Sequence, residues 1–262
     1  MSTTYLDRIL AAHRAAADLD DRSTAELLTA ARAAAPCRGF RDALAHIDGM
    51  AVISEVKRRS PSKGDLFPDL DPAVLAQQYE RGGASCLSVL TDEDHFGGSV
   101  ADLQAARAAV SLPVLRKDFT VHPHDVLDAR IMGADCVLLI VAALDDVELA
   151  ALHALAVEVG LDVLVEIHDE VELERALAVD ATLIGVNQRD LVTFEVDTER
   201  AVRMAPLMPA GVVRVAESGV RGADDVGVLG AAGYHAVLVG ETLVKHGDPE
   251  QGVAELRAGF RR

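Results

Sequence analysis

The sequence predicts an α/β fold: a (β/α)8 barrel preceded by an N-terminal helical extension. Three observations carry this expectation. After residue 50, eight short runs rich in Val, Ile and Leu alternate with amphipathic stretches. Three junctions repeat one phrase, a helix end, a glycine and a strand: "RGGASCLSVL", "IMGADCVLLI" and "AAGYHAVLVG". The first run is followed by "RRSPSKG", not by the Gly-rich turn that opens most doubly wound sheets, so the closed barrel is preferred to the open one.

The elements follow in order. Leu6, Ile9 and Leu10 recur at helical spacing, and a second helix, "TAELLTAARAAA", starts at Ser23 and Thr24. The strand candidates are then "AVISEVK", "CLSVLTD", "PVLRKDF", "CVLLIVA", "DVLVEIH", "TLIGVNQRD", "VVRVAESG" and "AVLVGETL". Between them lie the helical stretches "DPAVLAQQYERGG", "SVADLQAARAAV", "HPHDVLDARIMGA", "LDDVELAALHALAVEVG", "DEVELERALAV", "DTERAVRMAPLM" and "GADDVGVLGAAG". No linker or low-complexity segment divides the 262 residues. A single barrel domain over 1–262 is expected, with residues 1–48 as its helical extension.

Composition narrows the function. Hydrophobic residues make up 50% of the chain, ample for one large core. The net charge of −17 repels polyanions, and with aromatics at 3% and no Trp, nucleic acid and anionic membrane are not expected partners. An anionic small molecule would then need a local basic site. Cys37, Cys86 and Cys136 are scattered, with no C-x-x-C, as in reduced cytosolic proteins. The first twenty residues are charged throughout and no run is long enough to span a membrane, so a cytoplasmic location is expected. The oligomeric state is left open, with a monomer sufficient.

Side chains alternate along a strand, and this places the chemistry. In "VISEVK", Ile53, Glu55 and Lys57 share a face. So do Leu115, Lys117 and Phe119, then Leu164, Glu166 and His168, then Gly185, Asn187 and Arg189, then Val213, Val215 and Glu217. The opposite faces are apolar and suit packing on helices. The polar sets therefore point into the barrel near the strand C-termini, where barrel enzymes carry their chemistry. Glu55, Glu166 and Glu217 balance Lys57, Lys117 and Arg189 in charge, so the set can stay ionised in a low-dielectric mouth. Gly219 in "AESGV" and Gly240 in "LVGETL" end the seventh and eighth strands, where backbone N–H groups and a helix start suit a phosphate. Arg58, Arg59 and Lys63, in the loop after the first strand, are read as solvated charges.

"SEVKRRSPSKG", "LRKDF", "LLIVAAL", "VEIHDEVELERAL", "IGVNQRDLVTFEVD", "VAESGV" and "VLVGETLV" resemble the indole-3-glycerol phosphate synthase family over nearly the whole chain. The E-x-K-x-x-S-P-S element is the most specific of these. The resemblance implies a carbon–carbon lyase of tryptophan biosynthesis that uses no cofactor and no metal. It implies Lys117 as general acid, Glu166 as general base and Glu55 with Lys57 as a further acid–base pair. Asn187 and Arg189 then hold the substrate's hydroxyl and carboxylate region, and Glu217 belongs to the seventh-strand site. Ser218, Gly219, Gly240 and the Glu241 amide meet the phosphate, and Ser60 with Lys57 meets the anthranilate carboxylate. Phe96, Phe119 and Leu138 are candidates for the slot around the aryl ring. The N-terminal helices are implied to cover the pocket. Gln188 and Glu241 depart from the family pattern, and the Glu241 carboxylate must turn away from a phosphate.

Two alternatives remain open: another sugar-phosphate barrel enzyme such as an isomerase, and a non-catalytic phosphate-metabolite binder. His122-Pro123-His124 and "TDEDH" contain metal-ligand residue types, but no third ligand stands at a readable spacing. Pro123 marks a helix start there, and His168 is read as a neighbour of Glu166, not as a ligand.

Overall fold

The computed structural model describes residues 4–60 and 64–261. Pro61, Ser62 and Lys63, named above in the first loop, lie outside the described residues. Eight parallel strands close into a barrel: β1 (Ala51–Val56), β2 (Cys86–Leu90), β3 (Val114–Lys117), β4 (Cys136–Ile140), β5 (Asp162–Ile167), β6 (Leu183–Asn187), β7 (Val213–Glu217) and β8 (Ala236–Val239). Each strand pairs with its neighbour in sequence, and β1 pairs with β8 to complete the ring. This is the expected TIM barrel.

The alternation read from the sequence divides the core in two. Ile53, Leu115, Leu164, Val213 and Val215 pack inside the barrel with Ala51, Cys86, Cys136, Leu138 and Leu238. Val52, Val56, Val163, Val165, Ile167, Ile184 and Val186 face outward into the layer shared with the helices. β3 departs from the rule. Its outward Arg116 is buried and pairs with Asp118 at 2.9 Å, so an ion pair replaces an apolar contact there.

The junction glycines behave as expected. Gly83, Gly133 and Gly233 take left-handed φ of 90°, 99° and 96°, which ends each helix and turns the chain into the next strand. Asp71, Ser99, Asp145 and Asp169 accept the first free N–H groups of their helices. "DTERAVRMAPLM" is less regular than predicted: helix Arg200–Met204 tightens into a 3-10 turn over Ala205–Leu207, where Pro206 has no N–H to offer.

The N-terminal helices serve three different places. α1 (Tyr5–Asp18) lies over the C-terminal mouth of the barrel, and its Tyr5, Leu6 and Ile9 face the cavity there. α2 (Thr24–Ala33), capped by Ser23, packs along helix Pro123–Met132. α3 (Phe40–Ala45) lies at the opposite end, where Phe40 and Leu44 are buried among the inward side chains and stopper the barrel floor. Buried acids anchor this end: Asp135 accepts from the N–H groups of Arg38 (2.9 Å) and Val114 (2.8 Å) and from Arg107 (3.0 Å), and Asp162 accepts from Arg41 N–H (2.9 Å). The expectation that these helices cover the pocket therefore holds for α1 alone.

Among the described residues, no helix is long and apolar enough to cross a membrane. Cys37, Cys86 and Cys136 are free thiols, and burial raises the pKa of all three.

Candidate active site

A cavity of about 610 Å³ opens at the C-terminal ends of the strands. Every catalytic and substrate-contact residue that the resemblance implies lines it: Glu55, Lys57, Ser60, Phe96, Lys117, Phe119, Leu138, Glu166, Asn187, Arg189, Glu217, Ser218, Gly219, Gly240 and Glu241.

Its centre is Lys117, the last residue of β3. The ammonium lies 2.8 Å from Glu166 Oε2 on β5 and 3.1 Å from Glu217 Oε2 on β7. Burial works against that charge, but Glu166, Glu217 and Glu55 outweigh it and hold the Lys117 pKa above the ordinary lysine value. Burial likewise opposes ionisation of Glu166. There Lys117, then His168, outweighs it, and with hydrogen bonds from Lys117 and Asn187 the pKa falls to about 2. Burial wins at Glu217, where the Lys117 attraction is partly cancelled by repulsion from Glu166, and the pKa is raised to about 7. The two carboxylates on one lysine are thus pushed apart in proton affinity.

Asn187 at the end of β6 fixes the orientation of Glu166. Its amide nitrogen donates to Glu166 Oε1 at 3.0 Å, and its oxygen accepts from Arg189 N–H at 3.0 Å. His168 stands beside the same carboxylate. Its Nδ1 lies 3.0 Å from Glu172 and its Nε2 lies 3.7 Å from Glu166 Oε1. Burial disfavours the imidazolium, but Glu172 and Glu166 outweigh it and raise the His168 pKa. Across the barrel, Lys57 forms an ion pair with Glu55.

Glycines make room for this chemistry in a way the sequence did not reveal. A Cβ on Gly240 would run into the Glu55 carboxylate, and one on Gly185 into that of Glu217. Gly240 has an ordinary negative φ of −124°, so close approach, not a left-handed turn, is what requires it. Gly219 does take φ 75°, directly after Ser218 at φ 65°. Gln188 supports this turn by donating its side-chain amide to the Ser218 carbonyl at 2.8 Å.

Two expectations need correction. Arg189 lines the cavity, but its guanidinium donates to the Phe194 carbonyl at 3.2 Å and, among the described residues, pairs with no carboxylate. The inner set is therefore three glutamates facing two lysines, and the raised Glu217 pKa relieves the surplus negative charge. Arg58 and Arg59 are not simply solvated. Arg58 pairs with Asp102 at 3.0 Å and donates to the Pro68 and Leu70 carbonyls, and Arg59 donates to the Glu93 and Asp94 carbonyls. Their charges fasten the loop. The Glu241 carboxylate turns to Lys245 at 2.5 Å.

Apolar residues wall the rest of the cavity. Phe96 and Phe119 lie with ring centroids 6.2 Å apart, and Leu138 rises from β4. Leu191, Phe194, Arg221 and Lys245, with the α1 residues above, also line it and were not singled out from the sequence. They sit on loops, on the lid and, for Lys245, at the end of the short helix Glu241–Lys245, where no strand alternation marks a facing side.

Comparison with known proteins points to one family. The family model described as indole-3-glycerol phosphate synthase matches residues 6–256. A protein of that name from Nocardioides sp. is 54% identical over 256 residues, 97% of this chain and 98% of the relative. Relatives of the same name from Parafrankia sp. (55%; 82% of this chain, 81% of the relative) and Hyphomonas neptunium (49%; 93% and 94%) extend the agreement. Among solved structures, thiamine phosphate pyrophosphorylase from Pyrococcus furiosus superposes with a TM-score of 0.60 at 14% identity, over 80% of this chain and 94% of that one, which speaks for the barrel fold alone. With the barrel, the site and these relatives in agreement, the chain belongs to the indole-3-glycerol phosphate synthase family.

Proposed function

We propose that this chain catalyses the indole-3-glycerol phosphate synthase reaction: 1-(2-carboxyphenylamino)-1-deoxyribulose 5-phosphate is converted to indole-3-glycerol phosphate, CO₂ and water. The observation that supports the assignment of roles most directly is the buried Lys117 ammonium held between Glu166 and Glu217.

In ring closure, the ring carbon that bears the carboxylate attacks the ketone, whose oxygen becomes an alkoxide and must take a proton. Lys117 is charged at neutral pH and supplies both the proton and electrostatic stabilisation of that oxygen. Loss of CO₂ returns an electron pair to the ring. Dehydration then removes the new hydroxyl and one proton. Glu166, ionised and oriented by Asn187, takes that proton. Glu55 and Lys57 form the second acid–base pair, which assists departure of the hydroxyl as water.

In this reading the remaining residues make the substrate contacts. Ser218, Gly219, Gly240 and the Glu241 amide receive the phosphate. Ser60 and Lys57 meet the anthranilate carboxylate, and Asn187 with Arg189 meets the hydroxyl and carboxylate region. Phe96, Phe119 and Leu138 flank the aryl ring. The reading implies a small anionic substrate and a cytoplasmic setting. Nucleic acid and membrane have no part in it, in keeping with a net charge of −17.

Indole fluorescence tests it. The purified chain in metal-free buffer is expected to form product from the carboxyphenylamino-deoxyribulose phosphate, with Lys117→Ala as the control. No product from the wild type overturns the function. Nearly full rate in Lys117→Ala overturns the assignment of the general acid.

A further inference from the structure

The "TDEDH" segment, which showed no third metal-ligand partner in the sequence, acquires one in the fold. His13 reaches down from α1, 79 positions away in sequence, and sets its Nε2 3.0 Å from Asp92 Oδ2. On the other side of that oxygen, His95 Nδ1 lies at 2.9 Å. The three ligand atoms lie within 4.8 Å of one another. A tetrahedral zinc ion with bonds of about 2.0–2.1 Å keeps neighbouring ligand atoms roughly 3.3 Å apart; the two spacings to Asp92 are already close to that, and the two ring nitrogens, within 4.8 Å of each other, close onto the ion by rotation of the imidazoles.

We propose that His13, Asp92 and His95 form a site for a zinc-type divalent cation that fastens the α1 lid to the rim of the cavity. Two imidazoles and a carboxylate are a donor set suited to zinc, cobalt or nickel, with one coordination position left open. The three side chains are already gathered. Asp92 is buried at 3% side-chain exposure, and the two rings are only about a fifth exposed, at 21% and 22%. The rings are also steadied by packing: His13 lies 5.5 Å from Phe119, and His95 meets Tyr5 edge-on at 6.0 Å. Asp118 adds negative charge 3.9 Å from His13, while its own oxygens are engaged by Arg116 and by the Phe119 N–H. Without metal, hydrogen bonds from both rings to the one carboxylate hold the cluster. A cation displaces those protons and bonds the same three atoms.

His122 and His124 do not compete. His122 caps its helix, and the two ring nitrogens of His124 are occupied by Asp20 and Thr24, each at 2.8 Å. The site itself does not depend on the reaction assigned above; only the turnover readout of the fastening rests on it, and the binding titrations test the site separately. His13 and His95 have no role in that chemistry.

The test uses the full chain stripped of metal. Titration with Zn²⁺ by calorimetry, and with Co²⁺ by visible absorption, is expected to give one ion per chain at micromolar affinity. The cobalt spectrum should show the intense bands of a tetrahedral site. His13→Asn and His95→Gln should each weaken binding by about tenfold or more, with the fold retained by circular dichroism, and His122→Asn should leave it unchanged. Binding that ignores the first two variants, or that is lost with His122→Asn, overturns the site, as does no binding at all. Saturating zinc should slow wild-type turnover at least threefold and leave the His95→Gln rate unaltered. Zinc that binds without slowing the wild type, or that slows His95→Gln equally, overturns the fastening.

Discussion

The Lys117 ammonium lies 2.8 Å from the carboxylate of Glu166, so the two groups assigned opposite proton roles share a hydrogen bond before substrate enters. A shared bond in a buried site fixes both side chains at once. It also keeps the acid charged and the base charged, since each form stabilises the other.

Replacing Lys117 by Met removes the proton donor and leaves two facing carboxylates without their cation. A loss in kcat of about 10³-fold is expected, within the usual range for a general acid together with local electrostatics. Lys117→Arg should recover little, because a planar guanidinium cannot occupy the space of an ammonium. Single-turnover product formation measures both.

Asn187→Ala frees Glu166 Oε1 without touching its ion pair. A fall of about 10- to 100-fold in kcat with a smaller change in KM is expected, as for a lost orienting contact. Asn187→Asp should fall further, because a second carboxylate then opposes Glu166. Steady-state kinetics across both variants separates the two effects.

Glu217 has its pKa raised to about 7 in the folded protein, against an ordinary glutamate value near 4.5. The folded state therefore binds the extra proton between these values. The stability linked to this group is fully present below about pH 4.5 and is lost as pH rises towards 7. Glu217→Gln abolishes that dependence. Relative to wild type, the variant should gain on the order of 2 kcal/mol between pH 4.5 and pH 8. Urea unfolding at the two pH values gives the comparison, and a gain in the opposite direction would refute the assignment.

Gly240→Ala places a methyl group against the Glu55 carboxylate. The protein should fold, with Glu55 pushed off Lys57 and kcat lowered by more than about tenfold. Gly211→Ala provides a strained comparison: it also replaces a glycine, at φ 91° but with nothing within 4 Å of the added atom, so it should cost about 1 kcal/mol of stability and leave kcat alone.

Phe40→Ala empties the floor of the barrel, where the ring is fully buried. A loss of about 3–5 kcal/mol is expected. Because the ring lies at the end remote from the cavity, kcat per folded molecule should be nearly unchanged. Denaturant titration and active-site assay on the same preparation test both halves.

The contrast among these residues shows what a sequence can reveal here. Glu55 and Lys57 were legible because Ile53 sets the inward phase of the strand two residues at a time. The same alternation placed Lys117, Glu166, Asn187 and Glu217 in one mouth. It could not tell where the long Arg189 side chain would end, since a face is fixed by the backbone and a guanidinium is not. The partners of Arg58 and Arg59 are largely backbone carbonyls, which no residue type announces. The need for Gly240 comes from a carboxylate 185 positions earlier, and that of Gly185 from one on the adjacent strand. His13 was not singled out, because its partners lie on a different segment. Local period was readable; contacts made by loops and by distant segments were not.

The stretch before β1 spans the barrel from end to end, with Tyr5, Leu6 and Ile9 above the cavity and Phe40 and Leu44 beneath it. A chain shortened to begin near Met50 would be a tube unsealed at both extremities. Solvent would then enter from below, against side chains that never meet it in the intact protein, and the reacting groups above would lose their shelter in the same stroke.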